Sequence, residues 1–252
     1  MTRNDSLLTQ ATRHYEYGEY RRSLEILQAS MNEVRDDGKA WRLKGLAHYE
    51  LREISEAADA LEHAALLVPL CPLAQCRLAQ SYVRLRRREV ALLIFQHLVS
   101  LHDLPEHISE CVAKGLLQID ACDMALMFCL NQLKRFRNSH RLLFTTSSVM
   151  RRLSYDHEEA LPFSLRALQL RPNNLYYRIS CAQQMVAVDQ RGAAVELLAE
   201  VNLDRVQSIA SLNRLLLLFE RLDDQASAEH CHMRLQQIGY EISSMYRPPR
   251  SS

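Results

Sequence analysis

One beat of 34 residues constrains this chain more than anything else in it. Small residues recur at Ser23, Ala57, Ala91, Ala125, Ala160, Ala194 and Ala228, with spacings of 34, 34, 34, 35, 34 and 34 residues. A second column stands 12 residues ahead of the first and holds Ala11, Gly45, Ala79, Ala113, Ser148, Ala182 and Leu216, only the last of them large. A fixed period of about 20–50 residues marks an array of structural repeats, each packed mainly on its neighbours. Two small positions per repeat predict two helices per repeat, because small side chains belong where helix backbones come close.

Composition agrees with an all-helical chain. Glycine (6) and proline (7) are scarce among 252 residues, 48% of which are hydrophobic and 24% charged. Such a profile suits helices joined by short connections. A net charge of +1 supplies no global field to recruit nucleic acid or an acidic membrane surface. The longest apolar runs, such as Leu212 to Phe219, are interrupted or too short to span a bilayer. The first residues lead directly into the first repeat without an apolar leader, so no membrane insertion and a cytoplasmic location are expected. Cysteines stand at 71, 76, 111, 122, 129, 181 and 231, an odd number scattered along helices, which fits free buried thiols better than a disulfide framework.

With Gly45 at position 8 and Ala57 at position 20, the repeats run 4–37, 38–71, 72–105, 106–140, 141–174, 175–208 and 209–242. The one extra residue is assigned to the Lys134–Leu143 stretch of the fourth repeat. Pro69 and Pro172 both fall at position 32, and Pro72 and Pro105 lie at repeat borders, where proline's missing N–H costs nothing. Asp156 and Glu159 are arranged as an N-cap and its capping-box partner for the second helix of the fifth repeat. Pro162 either kinks that helix or moves its start towards Glu158. Gly239 is assigned as the last C-cap, with 243–252 a disordered Pro/Arg tail.

Repeat 2 reads Ala40-Trp41-Arg42-Leu43-Lys44-Gly45-Leu46-Ala47-His48-Tyr49, then Ala57, Leu61, Ala64, Ala65 and Pro69. Repeat 5 ends with Ala160, Ala167 and Pro172, and repeat 1 carries Gly18-Glu19-Tyr20 before Ser23. This pattern resembles the tetratricopeptide-repeat (TPR) family over residues 4–242, with repeats 4 and 7 matching mainly in the two small columns. The resemblance implies an all-α, right-handed superhelical solenoid of about seven helix-turn-helix repeats, in one continuous domain. It also implies that the first helices line a concave groove through positions 2, 5, 9, 12 and 13. Carried onto this chain, repeats 2 and 3 offer Lys39, Arg42, Leu46, Tyr49, Glu50, Leu73, Cys76, Gln80, Val83 and Arg84. Repeats 4 and 5 offer His107, Glu110, Lys114, Leu117, Gln118, Leu142, Thr145, Val149, Arg152 and Leu153. Repeats 6 and 7 offer Tyr176, Ile179, Gln183, Val186, Ala187, Ala210, Asn213, Leu217, Glu220 and Arg221.

Apolar residues and arginines alternate along this strip, which suits a protein partner: a peptide or helix of amphipathic or acidic character. The opposing interpretation is that several of these apolar residues simply pack between repeats. Co-chaperones of the same family grip acidic C-terminal tails with a Lys/Asn/Asn/Lys/Arg clamp. The matching positions here are Leu8, Thr12, Leu43, Leu73 and Arg77, or Thr145, Val149, Ser180, Ala210 and Arg214; only the final arginine of each set fits.

Catalysis has no visible home: the chain has no glycine-rich phosphate loop and no nucleophile elbow. His230-Cys231-His232 lacks a second ligand pair at zinc spacing, and consecutive helical side chains diverge by about 100°. The basic run Arg84 to Arg88 is confined to one turn, and no base-reading code recurs, so no nucleic-acid partner is expected. No cofactor or metal is expected either. The sequence therefore predicts a non-enzymatic scaffold or adaptor. The alternatives are a dedicated chaperone, resembling secretion chaperones, or a regulatory subunit of an enzyme or nucleic-acid machinery. The apolar Leu7, Leu8, Tyr15, Tyr17 and Tyr20 at one end allow self-association through a terminal repeat.

Overall fold

The computed structural model describes residues 3–29 and 36–245, and among these the ordered elements are helices with no strand. In chain order they are α1 (Arg3–Glu16), α2 (Tyr20–Ala29), α3 (Gly38–Glu50), α4 (Ile54–Leu67), α5 (Pro72–Arg84), α6 (Arg88–Ser100) and α7 (Glu106–Gln118). There follow α8 (Cys122–Arg135), α9 (His140–Arg152), α10 (His157–Leu170), α11 (Leu175–Ala187), α12 (Arg191–Ala199), α13 (Ile209–Arg221) and α14 (Gln225–Met245), with a 3-10 turn at Leu203–Arg205. Odd-numbered helices lead each pair and even-numbered ones trail. The chain forms two compact units, Met1–Gln132 and Leu133–Ser252.

The leading helices end alike. After each, one residue takes the left-handed conformation: Gly18, Arg52, Arg86, Asp120, Ser154, Asp189 and Asp223. At the second of these turns Arg52 N–H bonds to the Tyr49 carbonyl and Glu53 N–H to that of His48, both at 3.0 Å. This is a Schellman closure, which satisfies the last carbonyls of the helix and reverses the chain in three residues. Only Gly18, at φ 78°, adopts it without a side-chain penalty; the others carry a modest strain.

These turns relocate the extra residue. The left-handed residues keep the 34-residue beat through Ser154 and slip by one only at Asp189, whereas the trailing-helix column slips already at Ala160. The insertion therefore lies between Ser154 and Ala160, inside the turn of the fifth repeat, and not in 134–143. The leading helix of that repeat starts at His140, one residue earlier than the sequence frame. Its small buried residue is Ser147, at 1% exposure, while Ser148 is half-exposed.

The two small columns face each other as their spacing demands. Ser23 Oγ donates to the Ala11 carbonyl at 2.8 Å, joining both columns of the first repeat. A Cβ added at Gly45 would lie 2.6 Å from Leu61 Cγ and 3.1 Å from the Ala57 carbonyl. All seven members of the trailing column are buried. In the first unit, Ala11, Leu27, Ala40 and Leu43 form a core patch on which Leu8 and Tyr15 pack, so these two residues turn inward. In the second, Ile179, Ala182, Leu198, Leu212, Leu215, Phe219 and Cys231 share one apolar core. The same unit holds a buried polar chain: Ser147 Oγ donates to Gln184 Oε1 at 3.2 Å, and Gln184 Nε2 donates to Ser164 Oγ at 3.0 Å.

Three local expectations change. Asp156 does precede α10, but its side chain makes no capping hydrogen bond. Pro162 lies within α10 and does not start it. Gly239 lies within α14, which continues to Met245; the rest of the 243–252 tail is outside the described residues. Among the described residues, no helix is long and apolar enough to cross a membrane.

Candidate functional site

In the first unit, α5 places Arg77, Gln80 and Arg84 on one face through their i, i+3 and i+7 spacing. The last turn of α3 brings Tyr49 and Glu50 to meet them. Tyr49 Oη donates to Gln80 Oε1 at 2.8 Å, and Arg77 Nη1 donates to the same oxygen at 3.1 Å. Arg77 Nη2 also pairs with Glu50 at 2.9 Å. The Tyr49 ring lies under both guanidiniums, 4.6 Å from Arg77 and 5.1 Å from Arg84. Burial raises the pKa of Tyr49, so it stays a neutral donor. Burial opposes the charge of Arg77, but Glu50 and the surrounding anion-forming groups outweigh it and hold the guanidinium charged. These contacts tie Tyr49, Gln80, Arg77 and Glu50 into one charge-compensated cluster, although the buried Nε of Arg77 has no hydrogen-bond partner.

The second unit has a different electrostatic pattern on α9, α11 and α13. Arg151 Nη1 donates to Ser180 Oγ at 3.2 Å, and Arg214 Nη2 donates to Gln183 Oε1 at 2.7 Å. Arg214 also stacks 4.9 Å above the Tyr176 ring. Among the described residues, neither guanidinium forms an ion pair with a carboxylate. Burial and then the field of Arg214 lower the pKa of Arg151, so the two cations repel each other without a counter-charge. Beside them Tyr176 and Leu217 are 54% and 59% exposed. Two arginines without a carboxylate partner thus stand next to exposed apolar side chains.

The residues assigned from the sequence divide into three groups. Lys39, Lys114, Arg84, Arg152, Tyr176, Asn213 and Leu217 are exposed on leading helices, and Arg42, Leu73, Val83 and Leu117 are half-buried. Leu46, Tyr49 and Gln80 are buried at 7–8%, the last two within the Arg77 cluster. Val149 and Ile179 are corrections: both are 0% exposed and belong to the packing. For Val149 the cause is the one-residue register shift, which moves Arg151 to the position assigned to Arg152. For Ile179 it is the shared core with Leu212 and Leu215.

Arg77, Arg151 and Arg214 are absent from the groove set read from the sequence. Arg77 and Arg214 stand at position 6 of their repeats, and that coincidence was the available signal. The basic run beyond Arg84 is a solvated edge: Arg87 pairs with Glu62 at 3.5 Å and Arg88 with Asp120 at 3.7 Å. In the His230-Cys231-His232 tripeptide, His230 pairs with Asp204 at 2.9 Å, Cys231 is fully buried and His232 is exposed. Among the described residues, no group of three or more His, Cys, Asp or Glu side chains could hold a metal.

No protein-family model and no curated protein matches the chain in sequence. Solved structures do match in fold. YrrB, described as a TPR protein with an unusual peptide-binding site, is 16% identical with a TM-score of 0.58, covering 68% of this chain and 88% of its own. PilF of Pseudomonas aeruginosa is 15% identical with a TM-score of 0.64, covering 80% and 91%. The C-terminal part of a TPR repeat-containing protein of Cytophaga hutchinsonii is 11% identical with a TM-score of 0.64, covering 92% and 95%.

Proposed function

We infer that the chain, which has the all-α solenoid fold of the tetratricopeptide-repeat proteins, works through protein–protein interaction, the general use of that fold. From this premise we propose that it is a non-enzymatic adaptor whose leading-helix face in the second unit binds an acidic, amphipathic protein segment. The observation that carries this reading is the pair Arg151 and Arg214, held by neutral partners and facing each other's charge. An incoming carboxylate between them would relieve that repulsion, while Tyr176 and Leu217 offer area for an apolar anchor. The peptide-binding site described for YrrB supports the same use of this fold.

The test is a charge reversal. The double variant Arg151→Glu/Arg214→Glu is expected to keep its helicity and to lose no more than about 1 kcal/mol of stability, since partly exposed charges contribute little. Partners captured from the source cell by the immobilised wild-type chain should weaken at least about tenfold with the variant, because steering and contact both change sign. Equal capture by both proteins would remove this face from the binding surface.

A further inference from the structure

Two cysteines adjoin the Arg77 cluster, and the adaptor reading gives them no task. Cys76 on α5 is fully buried, and its thiol is hydrogen-bonded to Cys111 on the next leading helix, α7. Cys111 is half-buried, and Arg77 Nη1 lies 3.8 Å from its Sγ. Gln80 also bonds to the Cys111 sulfur, and Glu110 is the carboxylate whose field opposes the thiolate. We propose that Cys111 and Cys76 form a reactive dithiol, in which Cys111 is oxidised by hydroperoxide and Cys76 resolves it to an intramolecular disulfide between α5 and α7.

The geometry gives each sulfur a separate part. Cys111 is reachable from solvent and sits beside a fixed cation. The hydrogen bond from Cys76 first, then Arg77 and Gln80, hold its pKa below the ordinary thiol range against the cost of burial. Cys76 is shielded, and its hydrogen bond to Cys111 together with burial keeps it a thiol. In the first step the Cys111 thiolate attacks one peroxide oxygen and the O–O bond breaks; that oxygen stays on the sulfur as a sulfenic acid, and the other leaves as hydroxide, which takes up a proton to become water. In the second, the Cys76 sulfur attacks the Cys111 sulfur, the S–O bond breaks, and the hydroxyl leaves as water with the Cys76 proton. The dithiol is oxidised by two electrons and the peroxide is reduced by the same two. An S–S bond of about 2 Å draws α5 and α7 together at this point and removes the thiolate from Arg77, leaving Glu50 as its anionic partner.

Full-length protein treated with hydrogen peroxide and digested without reductant tests this. The expected product is a peptide pair joined through Cys76 and Cys111, two hydrogens lighter than its reduced components. Before oxidation, iodoacetamide at pH 7 should alkylate Cys111 about tenfold faster than the half-buried Cys71 and Cys122, as a thiolate-rich site does. In Cys76→Ser the sulfenic acid should persist and be trapped by dimedone at Cys111. The proposal is overturned if peroxide leaves Cys111 as a free thiol or carries it to sulfinic acid without the crosslinked pair. Alkylation of Cys111 at the rate of Cys71 and Cys122 also overturns it.

Discussion

Replacing Gly45 with leucine is expected to destabilise the chain by about 1–3 kcal/mol, the usual cost of overpacking a close helix contact. An added Cβ alone would lie 2.6 Å from Leu61 Cγ and within 3.1 Å of the Ala57 backbone oxygen. Leu61 is fully buried and cannot swing away, and the Ala57 carbonyl belongs to α4 itself. Gly115→Ala should behave similarly, since its Cβ would fall 2.2 Å from Cζ of Phe95, a ring with no exposure. Alanine's helix propensity recovers about 1 kcal/mol at that position, which does not offset a displaced aromatic ring. Gly192 is the internal control: nothing lies within 4 Å of its added Cβ, so Gly192→Ala should be neutral or slightly stabilising. Chemical denaturation followed by circular dichroism measures all three. Because repeats stabilise one another through nearest-neighbour contacts, the Gly45 variant should also unfold less cooperatively.

Arg178→Met is expected to cost about 2–4 kcal/mol, the largest loss from any single polar side chain here, because it strips a buried charge from several acceptors. The guanidinium is 11% exposed and donates to the Leu197 carbonyl at 2.7 Å, to the Pro172 carbonyl at 3.0 Å and to Glu200. One side chain thus ties α11 to the end of α12 and to the loop before α11. Methionine keeps much of the apolar stem but leaves those acceptors without their donor. Lysine should rescue only a small part, since a single ammonium cannot reproduce the planar fork. Thermal melts of Arg178→Met and Arg178→Lys would show this, and equal stability of the two would disprove the role of the fork.

The 34-residue beat was legible because it is enforced by sterics: where two helices touch, Ala, Gly or Ser is needed at nearly every repeat, Leu216 being the exception, and this shows in residue type alone. The seven leading and seven trailing helices among the described residues follow directly from it. Placement of the extra residue was not legible, because turns between helices accept many residue types. Arg52, Arg86, Asp120, Ser154, Asp189 and Asp223 all take the left-handed position, and only Gly18 advertises it. That single misplaced residue exchanged Ser147 for Ser148 in the core and hid Arg151. Exposed sites were less legible for a second reason. Arg77 and Arg151 differ in whether a carboxylate reaches them, which depends on side chains one repeat away. Identity at a position cannot say whether Glu50 pairs with Arg77, nor that Arg151 lies in the field of Arg214.

The most direct measurement of where the partner binds uses a benzophenone amino acid placed at one of two exposed positions in the second unit. Leu217 lies on the leading helix α13, near Arg214, and Met233 lies on the trailing helix α14, with exposures of 59% and 61%. Irradiation in the source cell is expected to give protein adducts at position 217 and few at 233, with the 217 adducts disappearing in Arg151→Glu/Arg214→Glu. Adducts at 233 alone, or adducts at 217 indifferent to the charge reversal, would contradict binding on the leading-helix face.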